Sequence, residues 1–393
     1  MTLARTPIID VPYRWRDMLR AVKYVNAPSA RGEFISVLRG RVHSEHVYLT
    51  SSGIASFYII LKAMAKMSHK TEVLLPAYTA GSLVTAVLKA GLRPVLYDVC
   101  TEDFNPDEGS LFKAISDKTL AVLGVHLFGI CIRDIERLKK RMSADTYLIE
   151  DCAQASGSMI GNEYVGSFGD AGFFSFNRGK NIPLGGGGCI VTDNEKLASE
   201  IEKILEGLKD ETWFREALAF FKVVIVRLGT DPLIYGIGSP IISNFKDTAP
   251  SHDFPVEGIS YFQSGLGAIL AERAEGFFLK RYNNGMRLIS VLKNVRGLTV
   301  PRVPGNTRPA FNRFPILFET TEARDAAAEI LWHNGIEASR MYSKPVHHMF
   351  DIGYKKEDFP NAGSISRRLL TLPVHPSVDG KVLEKMAELI RNI

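Results

Sequence analysis

The most informative stretch of the sequence reads FSFNRGK at residues 174–180 and is followed by four glycines at 185–188. It begins as an apolar strand and ends in Lys180, and the glycines let the backbone pass close to a ligand. A lysine after a strand is usually an ordinary surface residue. In a confined site, however, a lysine loses hydration, its pKa falls, and the free amine attacks carbonyl carbons. We therefore predict a reactive Lys180, with Ser175 as a donor to a phosphate.

A carboxylate stands at the end of another predicted strand, in the sequence IEDCAQASG at residues 149–157. Burying Asp151 there costs free energy unless the carboxylate has a partner. A protonated pyridine nitrogen is such a partner, because a neighbouring carboxylate keeps the ring cationic and able to accept electrons. A helix cap or a metal ligand is the alternative, but no cluster of histidines and acids at ligand spacing supports a metal site.

A third segment, TSSGI at residues 50–54, stands at the start of a predicted helix. Free backbone N–H groups and the helix dipole favour an anion at such a position. Taken alone, a serine there indicates only an N-cap. Together, however, the three segments offer contacts for a phosphate, a ring nitrogen and an aldehyde carbon, which pyridoxal 5'-phosphate (PLP) requires. All three are expected at carboxyl ends of strands, where open parallel sheets bind ligands.

Apolar runs and amphipathic segments alternate through the first half of the chain. The periodicity predicts helices at 53–67, 79–89, 107–115, 133–142 and 195–208. It predicts strands at 72–75, 94–99, 120–125, 147–150, 172–176 and 189–192. Because strands and helices alternate and the strands are nearly all apolar, we expect a parallel sheet covered on both faces.

The second half of the chain has a different pattern. A region without proline at 268–295 predicts one long helix. A strand at 314–318 and helices at 322–333 and 380–393 then indicate a small α+β domain. We place the large domain at 1–257, and the linking helix with the small C-terminal domain at 258–393.

The composition is that of an ordinary soluble protein, with 46% hydrophobic and 23% charged residues. The net charge of +5 arises from basic residues spread along the chain, which argues against nucleic-acid binding but suits a phosphorylated substrate. The four cysteines form no CxxC pair, and residues 1–15 lack the apolar core of a signal peptide. We therefore expect a cytoplasmic protein with buried thiols.

An apolar stretch at 217–242 is interrupted by Lys222, Arg227, Asp231 and Pro232, so a membrane span is not expected. In decreasing order, we interpret the stretch as a core helix, a dimer-interface segment or an interfacial membrane contact. Membrane association is thus the least favoured interpretation.

Several segments together resemble the DegT/DnrJ/StrS sugar aminotransferases over nearly the whole chain. Besides the lysine and aspartate segments, the resemblance rests on LPAYT at 75–79, VHLFG at 125–129 and LPVHP at 372–376. It implies PLP-dependent transferase fold type I, an α/β fold with a mostly parallel seven-stranded sheet between helices and a small C-terminal α+β domain. It also implies a homodimer with shared active sites that moves an amino group from glutamate to a keto-sugar, in nucleotide-linked form.

The resemblance further implies roles for individual residues. Lys180 would hold the cofactor as a Schiff base and move the proton of the reaction, and Asp151 would pair with the pyridine nitrogen. Gln154 would lie near the ring hydroxyl. Further cofactor contacts are assigned to Ser52, Gly53, Ile54, Ser175, Tyr78 and Ser260.

Several positions depart from the family pattern. Gly186 replaces a glutamate, Ile54 replaces a threonine, and Ala80 stands where an aromatic residue stacks on the ring, which leaves Tyr78 as its substitute. In the segment that reaches across the dimer to the phosphate, Ser260 and Phe262 replace asparagine and arginine. Two alternatives therefore stay open.

The first alternative is a PLP-dependent dehydratase-type relative, which Lys180 argues against because such relatives usually replace the lysine. The second is a non-catalytic family member that acts as a binding protein. Two further residues carry weaker signals. For His126 we favour structural hydrogen bonding over cofactor contact. Arg313 suits the carboxylate of an amino donor, although its flanking strand offers no second clue.

Overall fold

The structure is a computed structural model and describes residues 4–208, 213–236 and 253–393. Its α-helices in these ranges are α1 (Trp15–Val22), α2 (Ser29–Val42), α3 (Gly53–Met67), α4 (Gly81–Lys89), α5 (Glu108–Ala114), α6 (Ile135–Arg141), α7 (Glu195–Glu206), α8 (Trp213–Gly229), α9 (Tyr261–Ala271), α10 (Ala274–Leu292), α11 (Thr321–His333), α12 (Pro360–Arg368) and α13 (Gly380–Arg391). Its strands there are β1 (His46–Thr50), β2 (Glu72–Pro76), β3 (Arg93–Tyr97), β4 (Thr119–Val125), β5 (Tyr147–Asp151), β6 (Met159–Ile160), β7 (Glu163–Tyr164), β8 (Ala171–Ser175), β9 (Gly188–Thr192), β10 (Leu298–Thr299), β11 (Thr307–Arg308), β12 (Phe314–Phe318) and β13 (Leu369–Leu372).

Among the described residues, the largest sheet has seven strands in the order β1-β9-β8-β5-β4-β2-β3. Every pairing from β8 to β3 is parallel, whereas β9 is antiparallel to both of its neighbours. All residues of β2, β4, β8 and β9 are buried, because helices cover both faces of the sheet. The predicted α/β fold with a mostly parallel sheet is confirmed.

The strand directions explain why the predicted site segments meet. The strands β4, β5 and β8 are parallel, so their carboxyl ends open at one edge of the sheet. Because β1 and β8 are both antiparallel to β9, β1 runs in the same direction as β8. The start of α3, which follows β1, therefore lies at the same edge as Asp151 and Ser175.

The region predicted as one helix at 268–295 is instead two helices, and that prediction is wrong. Helix α9 ends at Ala271, and α10 begins at Ala274 after Arg273 adopts φ −126° and ψ 12°. The Arg273 guanidinium pairs with Asp17 of α1. Since Glu272 and Arg273 both favour helices, no local signal marked the break, and a tertiary contact accompanies it.

The second half of the described chain contains a three-stranded antiparallel sheet in the order β10-β12-β13. Helices α11 and α13 pack with each other and with this region, as the predicted small α+β domain requires. The N-terminal segment also reaches it, since Thr6 pairs with Ile336. Helix α9 packs on α1 and α2, and the domain boundary at 257 stays a prediction.

Helix α8 covers part of the apolar stretch at 217–242, of which residues 237–242 lie outside the described ranges. Ala219 and Val223 are buried, whereas Phe214, Phe221 and Ile225 are between 60 and 66% exposed. The described part is thus an amphipathic surface helix and not the core helix we favoured. No helix within the described ranges combines the length and the apolar character needed to cross a membrane.

The cysteines are free thiols. Cys131, Cys152 and Cys189 are buried, as predicted, and burial raises the pKa of each thiol. Cys100 is only half-buried.

Candidate active site

Lys180 lies in the loop between β8 and β9, at the carboxyl edge of the sheet. Gly179 before it has φ +78°, a conformation that favours glycine, and an added Cβ there would lie 3.0 Å from Ile9 Cγ2. The Lys180 residue is half-buried. Burial lowers the pKa of its amine to about 8, the Asp151 carboxylate opposes this change, and the Arg313 guanidinium adds to it. A substantial fraction of the amine is therefore neutral near physiological pH.

Asp151 is the last residue of β5 and is 6% exposed. One carboxylate oxygen, Oδ1, accepts a hydrogen bond from the Ala153 N–H at 2.8 Å. Burial raises the pKa of the carboxyl group, while the Ala153 N–H, Lys180 and His126 lower it. A cationic partner would stabilise the charged form of Asp151, and a protonated pyridine nitrogen fits that need.

The start of α3 forms a confined anion site against the end of β8. A Cβ added to Gly53 would lie 2.8 Å from Ser175 Cβ, so only glycine allows this approach. The Ser52 hydroxyl caps the helix by accepting the Ala55 N–H at 3.2 Å. The N–H groups of Gly53 and Ile54 belong to the first turn and have no acceptor within the helix. Together with the Ser175 hydroxyl, they suit a phosphate.

The glycine run packs against this same helix start. Gly187 pairs with Ser52, and an added Cβ on Gly188 would lie 2.5 Å from the Ser52 carbonyl carbon. The run is therefore needed for the close contact between β9 and the chain that enters α3. The sequence predicted a close approach of this backbone to a ligand, whereas the structure places the glycines against the protein's own chain at Ser52.

Gln154 and two tyrosines form one wall of the site. Gln154 Oε1 accepts the Phe128 N–H at 3.0 Å, and its Nε2 donates to Tyr342 Oη at 3.1 Å. The Tyr342 ring packs edge-on against buried Tyr78 at 5.5 Å between ring centroids. Sequence reasoning missed Tyr342, because it lies in an irregular segment of the C-terminal half that carries no motif. The role of Tyr78 as a stacking residue stays a prediction.

Ser260 lies at the start of α9, and within the chain its hydroxyl has a structural partner. Its Oγ accepts the Gln263 N–H at 3.1 Å and caps α9. Gln263 Nε2 in turn donates to the Leu184 carbonyl at 2.8 Å and would lie 2.9 Å from a Cβ added to Gly186. The glutamine thus occupies the space beside Gly186. A contact of Ser260 with a cofactor stays a prediction.

His126 and Glu150 form a buried pair behind the site. The His126 Nδ1 accepts the Ile132 N–H at 3.1 Å, so its Nε2 carries the proton and donates to Glu150 Oε2 at 3.0 Å. The Glu150 carboxylate also accepts the N–H groups of Gly166, Phe168 and Gly169. Both ring nitrogens of His126 are therefore used by the protein, which favours the structural role predicted for it. Cys152 lies close enough to His126 and Glu150 for the three side chains to be possible metal ligands. The Glu150 carboxylate, however, already accepts backbone N–H groups, which argues against a metal ion there.

Taken together, the described residues fit the contacts of PLP. They provide a half-buried amine of lowered pKa at Lys180, a buried carboxylate at Asp151 and a helix start at Gly53 that a side chain would fill. Gln154 lies beside them on the turn after β5. Of the predicted residues, Ser52 and Ser260 each cap a helix with their hydroxyl, and Ser260 stands at the start of α9 rather than of α3.

A sequence model of the DegT/DnrJ/EryC1/StrS aminotransferase family matches residues 14–221 and 258–391. The chain is 26% identical over 361 residues to the spore coat polysaccharide biosynthesis protein SpsC of Bacillus subtilis, covering 90% of this chain and 86% of SpsC. It is 27% identical to a UDP-N-acetyl-3-dehydro-alpha-D-glucosamine 3-aminotransferase of Acidithiobacillus ferrooxidans, covering 87% of this chain and 82% of that enzyme. It is 25% identical to a GDP-perosamine synthase of Escherichia coli O157:H7, covering 92% of this chain and 90% of that enzyme.

Solved structures share the fold. DesV of S. venezuelae superposes with a TM-score of 0.79 at 21% identity, covering 99% of this chain and 98% of DesV. PseC of Helicobacter pylori, an aminotransferase involved in the biosynthesis of pseudoaminic acid, gives a TM-score of 0.79 at 18% identity, covering 99% and 98%.

Proposed function

This chain belongs to the DegT/DnrJ/EryC1/StrS aminotransferase family of PLP-dependent enzymes, and on that premise we propose that it moves an amino group from glutamate to a nucleotide-linked keto-sugar. Three relatives support the acceptor class, since their names specify UDP-, GDP- and dTDP-linked sugar products or substrates. A fourth, SpsC, is named for polysaccharide biosynthesis. We place the product in the synthesis of a polysaccharide or another amino-sugar compound.

The observation that carries the proposal is that Lys180 and Asp151 lie near enough to each other, at the carboxyl edge of the sheet, for each charge to change the pKa of the other group. Bound there, PLP would supply an electron sink for the carbon from which a proton is removed. The lowered pKa lets the Lys180 amine accept that proton and return it to a neighbouring carbon near neutral pH. Asp151 would keep the ring nitrogen protonated, since a neighbouring carboxylate stabilises the cationic ring.

The remaining residues would hold the reactants in place. The N–H groups of Gly53 and Ile54, with the hydroxyls of Ser52 and Ser175, would bind the phosphate. Gln154 is itself fixed by Phe128 and Tyr342, so it would present a positioned amide beside the ring hydroxyl. Positioning of this kind lowers the entropic cost of reaching the reactive geometry.

We further propose a cytoplasmic homodimer with shared active sites, in which Ser260 and Tyr78 add contacts to the cofactor. The family resemblance supports this arrangement, and the match of the family model to residues 258–391 includes the α9 segment. Lys180 argues against a dehydratase-type relative. The complete set of amine, carboxylate and anion site argues against a non-catalytic binding protein.

Two half-reactions test the proposal. Purified protein loaded with PLP should lose its yellow absorption on addition of glutamate and release one 2-oxoglutarate per site. The aminated cofactor form should then convert one member of a panel of UDP-, GDP- and dTDP-linked keto-sugars, detected as an amino-sugar by mass spectrometry. Lys180→Ala is the negative control. Loss of colour with another amino donor but not with glutamate would replace the donor, and the absence of any aminated sugar would refute the acceptor class.

A further inference from the structure

Arg313, which directly precedes β12, places a guanidinium beside the lysine loop. A Cβ added to Gly179 would lie 3.8 Å from Arg313 Nη2. The guanidinium charge acts on Lys180, Tyr78 and Tyr342, so all four groups share one region of the site. The C-terminal half of the chain thus contributes a guanidinium to this region.

This guanidinium lacks a partner among the described residues. No hydrogen bond or ion pair joins Arg313 to any residue in the described ranges, and its Nε is buried without an acceptor. The acid whose charge affects it most is Glu337, which accepts the Ile8 N–H at 2.9 Å. A buried guanidinium N–H without an acceptor costs free energy, and at Arg313 the Nε is such a group, so the position suits an anion.

A second unsatisfied donor lies close to it. The Tyr78 hydroxyl is buried and makes no hydrogen bond of normal geometry, although the backbone of Tyr342 is near. The Tyr78 and Arg313 groups act on each other electrostatically. Two unsatisfied donors in one region, one of them charged, suit an anion that accepts several hydrogen bonds.

The protein holds Arg313 in a fixed relation to Lys180. Its neighbour Asn312 donates from Nδ2 to the Gly179 carbonyl at 2.6 Å and from its backbone N–H to the Phe128 carbonyl at 2.9 Å. Asn181 Nδ2 donates to the Ser156 carbonyl at 2.8 Å and to the Ala310 carbonyl at 2.6 Å. The guanidinium and the lysine are thus positioned by one buried network.

We propose that Arg313, assisted by the Tyr78 hydroxyl, binds a carboxylate of the amino donor. The inference rests on the proposed function and adds the residue that selects the donor. The planar guanidinium fork matches a carboxylate with two parallel hydrogen bonds. The α3 start already provides for the phosphate, so a second anion is the better fit for Arg313. A donor held there presents its amino group to the region around Lys180.

The test compares Arg313→Gln and Arg313→Lys with Arg178→Gln, which removes an exposed charge from the same loop. The probe is maleate, an unreactive dicarboxylate, titrated calorimetrically into the PLP-loaded protein. We expect about 100-fold weaker maleate binding in Arg313→Gln, partial retention in Arg313→Lys and near wild-type binding in Arg178→Gln. Circular dichroism and thermal melting establish whether each variant folds. If Arg313→Gln does not fold, the comparison of Arg313→Lys with the wild type still tests the inference.

A second measurement separates the two substrates. Amination of the keto-sugar by protein preloaded with the aminated cofactor should be nearly unchanged in Arg313→Gln, whereas conversion of the cofactor by glutamate should fall about 100-fold. Unchanged maleate binding in the variant would overturn the inference, and so would a selective loss of nucleotide-sugar binding, which would assign the anion to the sugar. If wild-type protein binds maleate through Arg313 but does not react with glutamate, the proposed donor fails while the carboxylate site stands.

Discussion

The Asp151 carboxylate and the Lys180 amine influence each other's ionisation at the carboxyl edge of the sheet. The carboxylate raises the pKa of the lysine against the stronger effect of burial, and the lysine lowers the pKa of the aspartate against the same effect. Their mutual attraction is therefore smaller than the cost of burying both charges. This balance makes the site sensitive to pH and to the loss of either partner.

The reactivity of Lys180 should follow its lowered pKa. In protein stripped of cofactor, the rate at which PLP attaches should rise about tenfold per pH unit below pH 8 and level off above it, because only the neutral amine reacts. In Asp151→Asn the midpoint should move to lower pH, since the variant lacks the charge that raises the lysine pKa. Borohydride trapping followed by mass spectrometry measures the rate. An unshifted midpoint would mean that the two groups do not interact.

Asp151 should reduce the stability of the cofactor-free protein at neutral pH. Its pKa is raised in the folded state, so the folded state binds more protons than the unfolded state above the ordinary aspartate pKa of about 3.9. Stability contributed by the protonated group is fully present in acid and is lost as pH rises through the folded-state pKa. Asp151→Asn should therefore melt at a higher temperature than wild type at pH 7, and the difference should vanish in acid. Calorimetric melts of both proteins at several pH values decide the point.

Gly53→Ala should weaken cofactor binding by about tenfold or more, because its Cβ would lie 2.8 Å from Ser175 Cβ and displace the anion site. Gly40→Ala is the matched control, since a Cβ on this helical glycine meets no atom within 4 Å. The control should leave binding unchanged and increase the free energy of unfolding by about 0.5–1 kcal/mol. Equilibrium dialysis with PLP measures the binding. Equal affinities of the two variants would exclude the proposed phosphate contact.

His126→Ala should lower the free energy of unfolding by about 2–4 kcal/mol, because it leaves Glu150 and the Ile132 N–H without a buried partner. PLP should still attach to Lys180 in the folded variant. Urea denaturation and borohydride trapping give the two readouts, with exposed His69→Ala as the control. Loss of PLP attachment without loss of stability would indicate a direct cofactor role for His126.

The pair Gly186 and Gln263 should behave as one unit. Gly186→Glu alone should destabilise the protein, because the new Cβ would lie 2.9 Å from Gln263 Nε2. Gln263→Ala should relieve the crowding. The double variant should therefore lose less free energy of unfolding than the two single variants together, by about 0.5–3 kcal/mol. A double-mutant cycle of denaturation measurements provides the coupling. Additive effects would mean that Gln263 does not occupy the space of the missing glutamate.

Much of the site was predictable because its residues directly follow strands. Lys180 and Asp151 follow apolar runs, and parallel strands bring such ends to one edge, whereas Gly53 was identified from the start of its helix. The sequence did not reveal β1, whose outward residues are polar or aromatic, although it is the strand that delivers the start of α3. Site residues that follow strands can thus be predicted from the local sequence pattern.

Residues that reach the site from the C-terminal half were less predictable. Tyr342 lies in an irregular segment, and its contacts with Gln154 and Tyr78 join positions far apart along the chain. Arg313 was suspected from its chemistry alone, since its lack of a partner is visible only after folding. The break between α9 and α10 was missed for the same reason, because Arg273 meets Asp17 only in the folded chain.

The bond between Asn312 and the Gly179 carbonyl joins the lysine loop to the strand region of the C-terminal half. Any hinge movement that opened the site at this seam would have to break that bond or carry the loop along. The backbone beside Lys180 is therefore tied to the C-terminal half of the chain, so a displacement of either part would be transmitted to the other through this bond.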